Sequence, residues 1–253
     1  MPGSFFWEPL YTDREGVALL EWDAISHKGK KQMEYAIGFI FRYFHVIAGI
    51  TWIGMLYYFN FVQTEYFKEA EADAKKDAMA KLAPRALWWF RWGAMVTFIT
   101  GLYLLQKATS TYMQFNYATA YIWVGSIAGT LMFLNVWLII WPNQKVVLGM
   151  KEGDAPTSAA KAGLASRTNT LFSGPMLLGM LGSQHSPVNM ATEDRIVDGV
   201  IMTPMGLYVA VGLIILLELN ALFGKQGPMT SVKGVIHMSA LLTIAVWALL
   251  NYV

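Results

Sequence analysis

RYFHVIAGITWIG, residues 42–54, is the stretch on which the reading of the fold turns. Ten of these thirteen residues are apolar, aromatic or glycine, and the apolar run continues to about residue 62. A run of about 20 such residues is long enough to cross the hydrocarbon core of a bilayer. Backbone groups in lipid have no water to bond, so only a helix or a closed barrel crosses it. The run is too long and too continuous for a barrel strand. It is therefore read as a membrane helix that carries an arginine and a histidine three residues apart.

The rest of the chain extends this reading. Its 253 residues are 55% hydrophobic and 14% charged, against about 25% charged in an ordinary soluble domain. Mean hydropathy is +0.40. Five further apolar runs give six expected spans, at about 35–62, 87–107, 119–141, 169–186, 199–223 and 232–252. The expected fold is an all-α, polytopic membrane helix bundle forming one domain, with residues 1–34 as an N-terminal segment outside the membrane. The net charge of +2 gives no reason to expect a nucleic-acid partner. The absence of cysteine excludes disulfides, thiolate metal sites, iron–sulfur clusters and a covalently attached c-type haem. No cleavable leader is expected, because Trp7, Glu8, Asp13, Arg14, Glu15 and Glu21 interrupt the N-terminal segment.

Lysines and arginines favour the cytoplasmic side of membrane proteins. The loops at 63–86, 142–168 and 224–231, with their edges, carry eleven of them. Arg14, Lys28, Lys30, Lys31, Lys107 and Arg195 fall on the other side. Both termini are expected outside. The segment FKEAEADAKKDAMAKLAPRA, rich in helix formers and mixed charges, is expected as a solvated connecting helix that ends before Pro84.

Ionisable groups inside apolar runs are costly and mark candidate sites. On a helix, Arg42, His45, Gly49 and Trp52 share one face. Two readings of His45 stand. It could ligate a haem iron, with Gly49 leaving room for a flat ring and Arg42 meeting a propionate. Alternatively, it hydrogen-bonds a neighbouring helix while Arg42 snorkels to the interface. His185, at the end of the fourth span, falls at the same expected depth as His45, so the two form a candidate bis-histidine pair. The other reading of His185 is an interfacial helix cap. His237, near the inner end of the last span, could ligate a second haem, hydrogen-bond Glu218, or serve packing alone. His27 lies in the polar N-terminal segment and is read as solvated.

Arg91, Asn135, Glu218 and Asn220 are the other polar residues within apolar runs. Arg91, inside LWWFRWGA, is either a snorkelling residue in an aromatic belt or a clamp for an anion or propionate. Glu218 is either a proton carrier or a hydrogen-bonded packing residue. The fifteen methionines show no paired spacing that would suggest copper and read as packing.

Four blocks carry a family resemblance. They are RYFHVIAGITWIGMLYYF at 42–59, ALWWFRWGAMVTFITGL at 86–102, NVWLIIWPNQKVV at 135–147 and ASRTNTLFSGPMLLGMLGSQH at 165–185. In this order they resemble the N-terminal membrane domain of the bacterial membrane-bound, cytochrome-linked urate hydroxylases, or urate oxidases. The WPNQ block and the S-R-T-N-T…S-x-P block are the specific ones. The C-terminal third matches less distinctly. The first block is also similar, more weakly, to the histidine-bearing helix of small haem-binding membrane proteins of the protoporphyrinogen-oxidase type.

The resemblance implies an oxidoreductase or electron-transfer protein of the bacterial cytoplasmic membrane holding one or two b-type haems; with the loop charges, both termini are expected to be periplasmic. It strengthens His45, His185 and His237 as iron ligands, with Arg42, Arg91 and Gly49 beside the haem. Arg167, Asn169 and Glu218 become candidates for contact with a substrate such as the urate monoanion. Family members carry a C-terminal cytochrome c domain. This chain ends at Val253 without cysteine, so the expected electron acceptor is a separate cytochrome c or respiratory-complex subunit. Two other functions stay open: a non-catalytic subunit of a larger respiratory or oxygenase complex, and a transporter. No inverted repeat supports the transporter.

Overall fold

The computed structural model describes residues 14–109, 117–185, 196–197 and 200–253. Arg195 and the first thirteen residues, which entered the charge and leader arguments, lie outside the described residues. Helix α1 runs Arg14–Tyr57 and passes into a π-helical turn at Tyr58–Gln63. Short helices α2 (Thr64–Glu69) and α3 (Ala72–Asp77) follow, then a second π turn at Ala78–Leu82 and helix α4 (Ala83–Thr109). A 3-10 turn at Tyr117–Thr119 leads into α5 (Ala120–Leu134), a third π turn at Asn135–Ile140 and α6 (Trp141–Val147). Helix α7 (Ala155–His185) is followed by two two-residue strands, β1 (Ile196–Val197) and β2 (Val200–Ile201), paired antiparallel. Helices α8 (Met205–Phe223) and α9 (Val232–Tyr252) complete the chain.

The expected all-α bundle is present. Four helical stretches are long and apolar enough to cross a membrane: His27–Glu69, Ala120–Val147, Met205–Phe223 and Val232–Tyr252. Helices α4 and α7 coincide with the other two expected spans and have 27 and 31 residues, but they are more polar. Helix α4 carries Arg85, Arg91 and Lys107, and α7 buries its polar residues in the bundle. The fifth span is shorter than expected at its start, where β2 precedes α8. The connector also differs from expectation. It breaks near Ala70, and the chain stays helical through Pro84. Pro84 follows closely on the π turn, and the backbone is helical on both sides of it.

By its internal contacts the chain divides into Met1–Arg42 and Tyr43–Val253. In the first unit the described residues belong to α1, and Met33, Tyr35, Ile37, Phe39 and Ile40 are exposed. In the second, α7 is the hub, packing against α5, α6, α8 and α9, while α4 packs on α5. Gly125 of α5 and Gly179 of α7 meet backbone to backbone; a methyl on Gly179 would collide with Gly125. Small residues at such crossings let membrane helices approach closely. Phe98 of α4 stacks on Phe133 of α5, with ring centroids 4.0 Å apart and planes within 4°.

Polarity in this unit is inverted relative to a soluble domain. Leu138, Leu216, Leu241 and Ile244 are 60–67% exposed, whereas Thr168 and Asn169 are 0% exposed. Lipid accepts the outward leucines, and the polar groups find partners inside.

Candidate functional site

Helix α7 brings a polar seam into the bundle: Arg167, Thr168, Asn169, Thr170 and Ser173 are all buried. The Asn169 side chain donates from Nδ2 to the Met132 carbonyl at 2.9 Å. That bond turns its Oδ1 toward Asn135, whose Nδ2 donates to it at 2.9 Å and to Glu218 Oε2 at 3.1 Å. Both amide hydrogens of Asn135 are thus used, and its buried Oδ1 has no partner. Asn135 also opens the π turn that ends α5. Such turns recur at functional sites. The seam therefore joins two of the substrate candidates, Asn169 and Glu218, through a residue singled out only as a polar intruder. Glu218 bonds Asn135, the partner found for it here in place of His237.

A second polar junction links the end of α1 to α7. Asn60 donates to Ser166 Oγ at 2.8 Å and to the Leu56 carbonyl at 2.9 Å. Beside it, Arg167 is 4% exposed with its Nη1 unpartnered, and Gln63 holds a buried, unpartnered Oε1. The Glu65 carboxylate acts electrostatically on Arg167 and also pairs with Lys68 at 2.7 Å. A cleft of about 490 Å³ is walled by Tyr57 and Phe61, by Thr170, Ser173 and Gly174 of α7, and by α9 from Ile236 to Ile244.

His45 is held against α4. Its Nδ1 lies 2.9 Å from the Thr97 carbonyl and 3.1 Å from Thr100 Oγ1. A carbonyl only accepts, so in the neutral ring Nδ1 carries the proton and Nε2 keeps a free lone pair. Gly101 lets the ring lie flat on α4; a methyl there would sit 3.0 Å from Cε1. Gly49, expected to leave room for a flat ring, faces Thr97, whose Cγ2 is 3.8 Å from the place of a Cβ.

The other candidates are placed apart. Arg42, His185 and His237 are exposed. Arg91 lies over the Trp141 ring at 3.8 Å from its centroid. That is a cation–π stack. Asn220 donates to the Lys225 carbonyl at 3.2 Å, closing the end of α8. Among the described residues no group of three or more His, Asp or Glu side chains converges as a metal site.

Sequence reasoning missed Thr97 and Thr100 as partners of His45, and Asn60 and Gln63 as partners in the second junction. Asn60 carried the same signal as Asn135, a lone amide within an apolar run. The threonines carried none.

These features define an α-helical bundle with membrane-length apolar helices and a polar, partly unsatisfied interior. The chain belongs to the urate oxidase N-terminal family, whose model matches residues 103–244, more than half of its length. The match takes in α5 to α8 and the first part of α9, and it leaves His45 outside. No curated protein and no solved structure matches the chain.

Proposed function

We propose that the chain is a membrane oxidoreductase or electron-transfer protein related to urate hydroxylase. In this reading it holds b-type haem and passes electrons to a cytochrome c or another respiratory partner. Membership of the urate oxidase N-terminal family supports the urate relationship. The observation that carries the haem assignment is the 2.9 Å contact of His45 Nδ1 with the Thr97 carbonyl. Iron-binding histidines commonly donate their second N–H to a backbone carbonyl, which fixes the ring and raises its basicity. His45 makes that bond to Thr97.

The donor set fits haem for one axial ligand. His45 would supply it, and His185 and His237 are the candidate further ligands. Bound haem would contribute one-electron transfer. The chain's own part is to orient the imidazole through Thr97 and Thr100, exclude water with the α4 face, and hold the Glu218 side chain inside the bundle against Asn135. Bacterial cytoplasmic membrane placement with periplasmic termini belongs to the same proposal, and it follows the expected loop charges.

The test is a reduced-minus-oxidised visible spectrum with a pyridine haemochrome assay, on wild type and His45→Ala. A b-type spectrum abolished or altered by the substitution is the expected outcome. Folded wild-type protein without haem would sink the assignment. It would then favour the second reading, a non-catalytic subunit of a respiratory or oxygenase complex. The snug packing of His45 on α4 and of Gly49 on Thr97 supports that reading.

A further inference from the structure

We propose that Arg91, Lys145 and Trp141, where α4 meets α6, form a docking site for the phosphate of an anionic phospholipid. The site is independent of the haem reading, since it uses neither His45 nor the buried polar seam.

It is built on one indole ring. The Arg91 guanidinium lies over Trp141 at 3.8 Å from the ring centroid, and the Lys145 ammonium lies 5.8 Å from the same centroid. These two distances cap the separation of the charges at about 9.6 Å. A phosphate accepting at about 2.8 Å from each cation bridges about 8 Å, and the flexible lysine stem covers the remainder. Stacking occupies the flat face of the guanidinium and leaves the N–H groups in its plane to other partners. Among the described residues neither Arg91 nor Lys145 has an ion pair; the two pairs that form, Lys68–Glu65 and Lys81–Asp77, lie in the connector. The chain supplies no carboxylate to this corner from α4, α5 or α6. No Asp or Glu occurs from Ala78 to Lys151, a stretch that holds Lys81, Arg85, Arg91 and Lys145. Two neighbouring cations without a counter-charge repel each other, and an anion between them removes that cost.

Depth decides which anion. The helical stretch Ala120–Val147 has 28 residues. At 1.5 Å per residue it rises about 42 Å, roughly 12 Å more than the hydrocarbon core is thick. A span that enters the core at Ala120 leaves it at about residue 140, so Trp141 and Lys145 stand at the level of the headgroups. Helix α4 brings Arg91 to the same level and presents Trp88, Trp89 and Trp92 beside it, 41–57% exposed. Tryptophans concentrate at that level of a bilayer. The neighbours of the site therefore face lipid, where phosphate is the abundant anion. A zwitterionic lipid carries a cation next to its phosphate, which this pair repels. A lipid with an uncharged or glycerol headgroup on its phosphate does not, and basic residues near the membrane surface each favour such lipids.

The experiment is native mass spectrometry of the full chain, purified in neutral detergent and titrated with phosphatidylglycerol and with phosphatidylcholine of the same acyl chains. Wild type is expected to bind one phosphatidylglycerol at least about tenfold more tightly than phosphatidylcholine. Arg91→Gln is expected to lose about tenfold of the phosphatidylglycerol affinity and Lys145→Gln about fivefold, with phosphatidylcholine binding unmoved. Arg85→Gln, which removes an exposed cation of the same helix, is expected to bind as wild type does. Equal binding of the two lipids by wild type overturns the proposal. A phosphatidylglycerol preference kept in full by both Arg91→Gln and Lys145→Gln also overturns it. So does a loss in Arg85→Gln as large as in Arg91→Gln, which would leave diffuse surface charge as the cause. Should Arg91→Gln prove misfolded by circular dichroism, Lys145→Gln decides the question, and unchanged binding in that variant overturns the site. Arg91→Lys, which keeps the charge without the planar fork, is expected to bind phosphatidylglycerol about threefold more weakly.

Discussion

Asn169 shows how a single buried amide organises its surroundings. Its bond to the Met132 carbonyl sets its own orientation, and through it those of Asn135 and Glu218. Asn169→Leu leaves one Asn135 amide hydrogen unmet and takes one of two donors from the Met132 carbonyl, and is expected to cost about 1–2 kcal/mol, within the range for lost buried hydrogen bonds. Glu218→Gln preserves shape and an acceptor for Asn135, and a change below about 1 kcal/mol is expected. Reversible unfolding in mixed detergent micelles measures both. Gly101→Ala places a methyl 3.0 Å from His45 Cε1. It is expected to cost about 1–3 kcal/mol by overpacking and to displace the His45 ring signals in an NMR spectrum; an unmoved ring would count against the tight seating described. At this scale the sequence was legible where a polar atom interrupts an apolar run, because burial without a partner is costly. Asn135 and Glu218 stood out for that reason, while Arg167 and Asn169 entered through the family resemblance. Thr97 and Thr100 did not. A threonine can bond its own helix and reads as neutral until its neighbours are known.

Helix contacts raise a different question: which backbones touch. At Gly179 a side chain would drive α5 and α7 apart, whereas at Gly212 of α8 nothing lies within 4 Å of the place of a Cβ. Gly179→Val is expected to destabilise by about 3 kcal/mol or more, beyond ordinary overpacking because backbone cannot yield. Gly212→Ala is expected to be neutral or to gain up to about 1 kcal/mol from helix propensity. Thermal unfolding of the two variants side by side tests this, and equal melting shifts would contradict the close crossing. The positions of the helices were legible from apolar length. Their crossing partners were not, since every apolar helix satisfies the same hydropathy rule. The π turns were equally hidden: YFNFVQ and NVWLII read as uninterrupted helix. The connector misled because proline was taken as a stop, whereas here the helix runs through it from the preceding π turn.

Across the whole molecule, the arrangement of tryptophans gives a direct readout of what surrounds the bundle. Trp88, Trp89, Trp92 and Trp247 are 41–57% exposed, and Trp52 is 3% exposed. In bilayers of brominated lipid, Trp247→Phe is expected to remove a quenched component of the fluorescence and Trp52→Phe an unquenched one. The reverse pattern would place water where lipid is expected. Composition made the bundle legible at this scale, and the ordered blocks made the family legible. The family match nevertheless reaches into the C-terminal third and omits the first two blocks, so His45 and Arg42 lie outside it while His185 and His237 lie within it.

The π turn at Asn135–Ile140 has a consequence for how this chain can tolerate change. A π turn amounts to one extra residue absorbed without breaking the helix. Since each residue turns an α-helix by about 100°, the absorbed residue leaves everything after it, including Trp141 under Arg91 and the whole WPNQ segment, in nearly the phase of a helix one residue shorter. Deleting one residue here, Leu138 for instance, would relax the turn to ordinary helix and keep that phase, whereas a deletion within α5 would turn the segment by about 100°. Helix α5 and the tetrapeptide that follows it are thus two parts in fixed phase, and the six residues between them are the coupling.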